Sequence, residues 1–204
     1  MKILFAHGFE GVPTGSKPRY LRETLGHEVI APLMNAGGWT FEDQVCAVTD
    51  AMTEHPDARL LVGSSMGGFA TTVAASRHPD RDLRVLLMAP AVGIHAVWAE
   101  ALGETGLTQW AETGTRTHFH RGRGAEVELP YALWTQCRDA AEVSLNHPAV
   151  IIHGLQDETI SIDFAVALAR RSPGVRRLYG VADGHRLQGS RHLMADAIEL
   201  LFQS

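Results

Sequence analysis

Short apolar runs alternate with longer amphipathic stretches along this chain. The apolar runs show no regular polar alternation, which is typical of strands that helices cover on both faces. The predicted strands are Lys2–Ala6, Glu28–Ala31, Ala58–Gly63, Arg84–Ala89, Ala149–His153 and Arg177–Tyr179. The amphipathic stretches predict helices at Lys17–Leu25, Phe41–His55, Gly67–Arg77, Ile162–Arg171 and Gln188–Phe202. This order predicts an α/β fold with a mostly parallel sheet of about six strands and helices on both faces.

One long stretch interrupts this alternation. Far more residues lie between Pro90 and Pro148 than a single crossover helix needs. Long insertions in compact domains are usually functional. We therefore expect one domain over residues 1–204, with a small lid-like insertion at about 91–147. Within it we predict a helix at Val92–Leu102, a polar segment at Gly103–Thr117, a hairpin of His118–His120 and Val127–Leu129, and a helix at Tyr131–Val143.

Composition and charge exclude several classes of function. A chain of 204 residues, 45% of them hydrophobic, can form one domain with its own core. The net charge of −5 and the lack of a basic stripe argue against nucleic acid as a partner. Cys46 and Cys137 are too few and too distant for a disulfide framework, and we expect buried or half-buried thiols. No apolar run suits a signal peptide or a membrane span, so we expect a cytoplasmic protein.

The strongest chemical signal is the pattern Gly63-Ser64-Ser65-Met66-Gly67-Gly68, between a predicted strand and a predicted helix. It places Ser65, and not Ser64, at the nucleophile position of the motif G-x-S-x-G. In such a turn, side chains two positions on either side of the serine would collide, which explains the glycines there. The strand–turn–helix context favours a nucleophile over an incidental serine in a glycine-rich turn.

A serine hydroxyl is a poor nucleophile unless a base removes its proton. His185 follows the last predicted strand and precedes the last predicted helix, so its loop lies at the same edge of the sheet as Ser65. We predict His185 as the base. His153 and His147 flank another strand and are weaker alternatives.

The base in turn needs a carboxylate that fixes its tautomer and stabilises the imidazolium. Asp157 comes just after a predicted strand and is the predicted partner of His185, with Glu158 as the alternative. Asp183 is too close to His185 in sequence to reach its ring comfortably. An aspartate that merely caps the following helix is the competing interpretation.

Acyl transfer also needs donors for the oxyanion of the tetrahedral intermediate. The turn aims the Met66 N–H at the site, so we predict it as one donor. The loop after the first strand, His7-Gly8-Phe9, is expected to supply the other through the Phe9 N–H, with Gly8 making room for substrate. We expect His7 to bond within this loop rather than to act in catalysis.

These motifs resemble the α/β-hydrolase superfamily and, within it, the small YqiA-like bacterial esterases. The chain order of serine, acid and histidine is the order of that superfamily. The resemblance runs nearly end to end and is carried by His7-Gly8-Phe9, the Gly63–Gly68 turn, Ala89-Pro90-Ala91-Val92, Asp157-Glu158 and Gly184-His185. It implies a serine hydrolase that cleaves small acyl esters or thioesters without a cofactor or a metal.

Some questions stay open at this point. The same three residues could serve carbon–carbon bond hydrolysis or perhydrolysis, or could be silent in a binding protein. The acyl group, the leaving group and the oligomeric state are not specified. Glu10 stands where the resemblance leads us to expect an asparagine, and we expect its carboxylate to point to solvent.

The insertion carries further residues of chemical interest. His118 and His120 would share one strand face as a possible metal pair, but without a third ligand we favour a half-exposed strand. Trp98, Trp110 and Trp134 could line an acyl pocket, although packing of the insertion is the commoner role of such residues.

Overall fold

The computed structural model of the protein describes residues 1–203. Its strands are β1 (Lys2–Ala6), β2 (Glu28–Ile30), β3 (Leu60–Ser64), β4 (Arg84–Met88), β5 (Thr115–His120), β6 (Ala125–Pro130), β7 (Ala149–Gly154) and β8 (Val175–Val181). Its helices are α1 (Ser16–Glu23), α2 (Phe41–Glu54), α3 (Met66–Ser76), α4 (Ile94–Thr113), α5 (Tyr131–Asp139), α6 (Ile162–Arg171) and α7 (Leu193–Phe202).

The central sheet has six strands in the order β2-β1-β3-β4-β7-β8, and every neighbouring pair is parallel. The predicted α/β architecture is therefore confirmed. Strand β8 extends beyond the predicted Arg177–Tyr179 in both directions. Strands β5 and β6 form a separate antiparallel hairpin.

Alternate residues of β1 show how the core is divided. Ile3 and Phe5 belong to the apolar cluster that α1 and α7 cover, whereas Leu4 and Ala6 belong to the cluster beneath α2, α3 and α6. All four side chains are nearly fully buried. Because helices cover both faces, a central strand must be apolar at every position, which explains its continuous hydrophobic pattern.

The parallel sheet brings the carboxyl ends of its strands to one edge. The loops that follow β1, β3, β7 and β8 all leave from this edge. Strands β1 and β3 are neighbours although β2 comes between them in the chain, so the connections from β1 and β3 run in opposite directions. Open α/β sheets bind their ligands in the crevice at such a point.

The insertion between β4 and β7 consists of α4, the β5–β6 hairpin and α5. The Trp110 indole N–H donates to the Leu129 carbonyl oxygen at 2.9 Å, which ties α4 to β6. The rings of Tyr131 and Trp134 stack with centroids 5.6 Å apart, and those of Trp98 and Trp110 meet edge-on at 6.1 Å. These tryptophans pack the insertion together.

The segment predicted as a polar stretch at Gly103–Thr117 is largely helical. Helix α4 continues to Thr113 through a kink at Gly103, whose φ of 64° is a left-handed conformation that glycine adopts freely. The hairpin consequently begins at Thr115, earlier than predicted.

The predicted start of the last helix at Gln188 was wrong, because α7 begins at Leu193. The Ser190 N–H and hydroxyl both donate to Asp183 Oδ2 at 3.0 Å, and these bonds hold the preceding residues in a turn.

The two thiols differ in their surroundings. Cys137 is buried as expected, whereas Cys46 is exposed, because it lies off the apolar face that Phe41, Val45 and Val48 form on α2. Across residues 1–203, no helix combines the length and the hydropathy that crossing a membrane requires.

Candidate active site

Ser65 lies at the sharp turn between β3 and α3. Its φ of 55° and ψ of −124° are sparsely populated for a non-glycine residue, the backbone strain expected of a nucleophile turn. A Cβ on Gly63 would lie 2.6 Å from the Gly68 Cα, and one on Gly67 would lie 2.3 Å from the Ala6 and His7 carbonyl oxygens. Only glycine fits at either position, so these two residues allow the turn that presents Ser65.

The structure brings Ser65, His185 and Asp157 together in one hydrogen-bonded chain. His185 Nε2 lies 2.8 Å from Ser65 Oγ, and His185 Nδ1 lies 2.8 Å from Asp157 Oδ2. A carboxylate only accepts hydrogen bonds, so Nδ1 carries the hydrogen and Nε2 is free to accept the serine proton. This arrangement can activate a hydroxyl nucleophile.

The carboxylate of Asp157 is held as an anion in a buried position. Its side chain is 1% exposed. Oδ1 accepts the Thr159 and Ile160 N–H groups at 2.9 and 2.8 Å, so the residue also organises the turn before α6. Burial acts to raise the pKa of Asp157, but hydrogen bonds from His153, His185 and the Ile160 amide outweigh it and hold the pKa well below its usual range.

The two predicted oxyanion donors lie on the segments that flank Ser65. A Cβ built on Gly8 would lie 3.0 Å from the Ser65 Cβ, so the loop that contains Phe9 runs against the nucleophile. Met66 is the first residue of α3, where backbone N–H groups have no acceptor within the helix. Within residues 1–203, neither the Phe9 nor the Met66 N–H donates to a backbone carbonyl. Their role as an oxyanion hole remains a prediction.

A family model matches residues 2–201, almost the whole chain, and its description is Uncharacterised protein family (UPF0227). The chain belongs to this family.

Solved structures show that this UPF0227 protein has the α/β-hydrolase fold, and this confirms the predicted fold. Mouse alpha/beta hydrolase domain-containing protein 10 is 22% identical, with a TM-score of 0.74 over 98% of this chain and 88% of that one. A protein of Agrobacterium vitis S4 is 21% identical, with a TM-score of 0.79 over 99% and 88%. Est1E of Butyrivibrio proteoclasticus, solved with ferulic acid bound, is 16% identical, with a TM-score of 0.71 over 98% and 86%. At these identities the likeness establishes the fold.

One curated relative is similar in sequence. The 2-hydroxymuconate semialdehyde hydrolase of Pseudomonas sp. (strain CF600) is 27% identical over 157 residues. The match covers 62% of the UPF0227 chain and 54% of the relative, so this chain spans about half the length of that enzyme.

His153 has a place in the site that the sequence analysis missed. It is completely buried, and its Nε2 lies 3.1 Å from Asp157 Oδ2 and 3.0 Å from the Ile160 carbonyl oxygen. Both neighbours are acceptors, so Nε2 carries the hydrogen and donates to them. His153 is thus a second imidazole on the aspartate rather than an alternative base. The available signal was its position next to the last residue of a buried strand, at the edge of the sheet where the site lies.

The other candidates fall outside the hydrogen-bonded chain. His147 is buried beside the Ala75 and His78 carbonyl oxygens, at the opposite edge of the sheet. Glu158 Oε2 accepts the backbone N–H of His185 at 3.1 Å, so it holds the histidine loop and leaves the ring to the neighbouring aspartate.

Glu10 is exposed, as expected, but its carboxylate also has a partner on the hairpin. Glu10 Oε1 lies 2.8 Å from His118 Nε2, because the hairpin folds across the loop that carries Glu10. His120 bonds instead to the Phe9 carbonyl oxygen. Among residues 1–203 no three His, Cys, Asp or Glu side chains are grouped as a metal site would require. Both histidines of the hairpin contact the β1–α1 loop.

A cavity of about 390 Å³ lies between the insertion and the loop that carries Asp157. Its apolar wall includes Val97 of α4 together with Leu155 and Phe164. The carboxylates of Glu100 and Glu158 also line it. The insertion therefore contributes directly to a concave surface beside the acid loop.

Proposed function

We propose that the protein is a serine hydrolase that cleaves small acyl esters or thioesters through an acyl-enzyme on Ser65. The observation that carries this proposal is the continuous chain from Ser65 Oγ through His185 to the buried Asp157, with both links at 2.8 Å. The strained backbone of Ser65 and the α/β-hydrolase fold support it further.

In the first step of the proposed reaction, His185 Nε2 takes the hydroxyl proton while Ser65 Oγ attacks the substrate carbonyl carbon. The Phe9 and Met66 N–H groups stabilise the resulting oxyanion. When the intermediate collapses, the bond to the leaving alcohol or thiol breaks, and His185 returns its proton to that group.

In the second step, a water molecule gives a proton to His185 and attacks the acyl carbon. The bond between this carbon and Ser65 Oγ then breaks, the acid is released, and the proton returns to the serine. Throughout both steps, the Asp157 carboxylate stabilises the positive charge that His185 acquires. No group outside this chain other than water is needed.

The proposal is tested by replacing the nucleophile. Ser65→Ala should lower kcat for a short acyl ester by on the order of 10⁴–10⁶ while the folded state is retained. A fluorophosphonate probe should label the wild-type protein and not this variant. Ser64→Ala is the matched control, because it removes the neighbouring hydroxyl of the same turn and should leave both readouts largely unchanged.

Two results would contradict the proposal. Retention of most activity in Ser65→Ala would exclude this residue as the nucleophile. Absence of labelling and of turnover in folded wild-type protein would instead favour a binding protein of this fold.

The name of the curated relative, 2-hydroxymuconate semialdehyde hydrolase, favours including 2-hydroxymuconate semialdehyde beside esters and thioesters in the substrate panel. Faster Ser65-dependent turnover of that compound would support the carbon–carbon hydrolysis alternative.

A further inference from the structure

The hairpin of the insertion forms hydrogen bonds to the β1–α1 loop, which carries Phe9, a predicted oxyanion donor. His120 Nε2 lies 2.6 Å from the Phe9 carbonyl oxygen. The neighbouring residue, Glu10, bonds to His118 and accepts the Arg121 backbone N–H. Residues more than a hundred positions apart in the chain are thereby fixed against each other beside Ser65.

The hydrogen-bond partners of His120 define its tautomer. Its Nδ1 accepts the Arg123 backbone N–H at 3.1 Å, so Nδ1 carries no hydrogen. Nε2 must then carry the hydrogen, and it donates to the Phe9 carbonyl oxygen. Because His120 is 1% exposed, water does not compete strongly for this bond.

The amide on the other side of Phe9 is held as well. The Gly8 carbonyl oxygen accepts the Gly11 N–H at 2.8 Å and lies 2.9 Å from His7 Nδ1. His7 Nε2 accepts the Met34 N–H at 3.4 Å, which leaves the hydrogen on Nδ1 for this contact. The Gly8–Phe9 peptide group, which includes the Phe9 N–H, is therefore fixed from within its own loop.

The Phe9 side chain adds a third restraint on the same loop. Its ring packs against the rings of Trp39, His118 and His120, with centroids 5.6, 5.5 and 5.3 Å away. Within residues 1–203, the hydrogen bond from His120 is the one by which the insertion holds the Phe9 carbonyl oxygen. A donor that is held in place before substrate arrives costs no reorganisation when charge develops on the oxyanion.

From these contacts we infer that His120 is a positioning residue for acyl transfer: its hydrogen bond to the Phe9 carbonyl aims the Phe9 N–H at the oxyanion. The insertion would thus increase the rate of the reaction, in addition to lining the cavity beside the acid loop. This inference rests on the proposed function, because it assumes that Ser65 forms a tetrahedral intermediate.

The test compares two substitutions of the same residue. His120→Phe keeps an aromatic ring against Phe9 and Trp39 but removes the donor, whereas the side-chain amide of His120→Gln can still donate. His120→Phe should lower kcat by on the order of 10–100-fold with little change in KM, because the lost interaction acts on the transition state. His120→Gln should recover most of this loss. Thr117→Ala, an exposed position on the same hairpin, is the control and should match the wild type.

Labelling by the fluorophosphonate probe gives a second readout. When Ser65 attacks the phosphorus of the probe, negative charge also builds on an oxygen in the oxyanion site. The labelling rate should fall in parallel with kcat in His120→Phe. Thermal unfolding checks that each variant is folded. If His120→Phe does not fold, His120→Asn takes its place, because its shorter amide cannot reach Phe9 but can accept the Arg123 N–H.

The inference is overturned if the folded variant without the donor keeps kcat and labelling rate within about twofold of wild type. It is also overturned if His120→Gln loses as much activity as His120→Phe. Either result leaves the serine mechanism intact as long as Ser65→Ala is inactive, so failure of this inference and failure of the proposed function are distinguishable.

Discussion

Two histidine–carboxylate pairs of similar chemistry lie in very different surroundings. Where β7 ends, His153 Nε2 is 3.1 Å from Oδ2 of Asp157 in the following loop, and the two side chains are 0% and 1% exposed. On the hairpin, His118 Nε2 is 2.8 Å from Glu10 Oε1, and each side chain is 39% exposed. The exposed pair on the hairpin therefore has the shorter contact.

Burial, rather than distance, decides what each pair contributes. An ion pair at an exposed position is worth about 0–1 kcal/mol, because water and salt screen it and two flexible side chains must be ordered. A buried carboxylate depends on every donor that replaces water, and removal of one leaves charge that nothing compensates. We therefore expect substitutions in the acid loop to be costly and substitutions at the hairpin pair to be mild.

The largest effect is expected where the buried carboxylate meets the base. Asp157→Asn should lower kcat by on the order of 10⁴, because an amide can hold His185 in the wrong tautomer and cannot stabilise the imidazolium. Steady-state kinetics on the best ester measures the change. Glu158→Gln is the matched control and should cost less than about tenfold, because Glu158 bonds to the backbone N–H of His185 and not to its ring. Equal losses in the two variants would contradict the assignment of Asp157.

A smaller loss is expected when the second imidazole is removed. His153→Leu deletes one donor to Asp157, which should lower the free energy of unfolding by about 2–3 kcal/mol at pH 7. It should also lower kcat by about tenfold through misplacement of the acid. Thermal unfolding and kinetics measure the two effects. His147→Leu, another buried histidine bonded to carbonyl oxygens, should lose stability and keep kcat.

The pH dependence of stability distinguishes a hydrogen bond from His153 to Asp157 from simple packing by the His153 ring. The pKa of Asp157 is depressed in the folded protein, so its stabilising contribution is present above the ordinary aspartate pKa of about 3.9 and is lost as the pH falls further. The difference in stability between wild type and His153→Leu should accordingly be largest at neutral pH and shrink below about pH 4. A difference that is constant down to pH 3 would show that His153 only fills space.

The sheet and the three central residues could be predicted because each depends on local sequence. Ser65 is marked by glycines at fixed spacing, and Asp157 and His185 follow strands whose carboxyl ends must share one edge of a parallel sheet. The elements and the chain order therefore already restrict where these side chains can lie. Only loop conformation had to be supplied by the structure.

The contacts of the insertion could not be predicted in this way. The bonds from His120 to Phe9 and from His118 to Glu10 join segments more than a hundred residues apart, and no motif relates their positions. The orientation of His153 is a similar case, since the strand pattern places it at the site edge but does not specify which acceptor its ring meets. Such pairings depend on how the insertion and loops dock, which tertiary packing decides.

The smallest effect is expected at the exposed pair. Burial acts to raise the pKa of Glu10, but hydrogen bonds from His118 and the Arg121 N–H outweigh it and leave the pKa below its usual value. The carboxylate therefore stabilises the fold at neutral pH, and this contribution is lost as the pH falls below about 4. Glu10→Gln should lower Tm at pH 7 by less than about 4 °C and kcat by less than about threefold.

Glu126→Gln, which neutralises another exposed carboxylate on the hairpin, controls for the change in net charge. Thermal scans at pH 7 and pH 3.5 should show a smaller Glu10 effect at the lower pH. A loss of kcat greater than tenfold in Glu10→Gln would contradict the contrast drawn between the two pairs. It would mean that the exposed pair, in addition to the buried His120, holds the Phe9 loop in its active geometry.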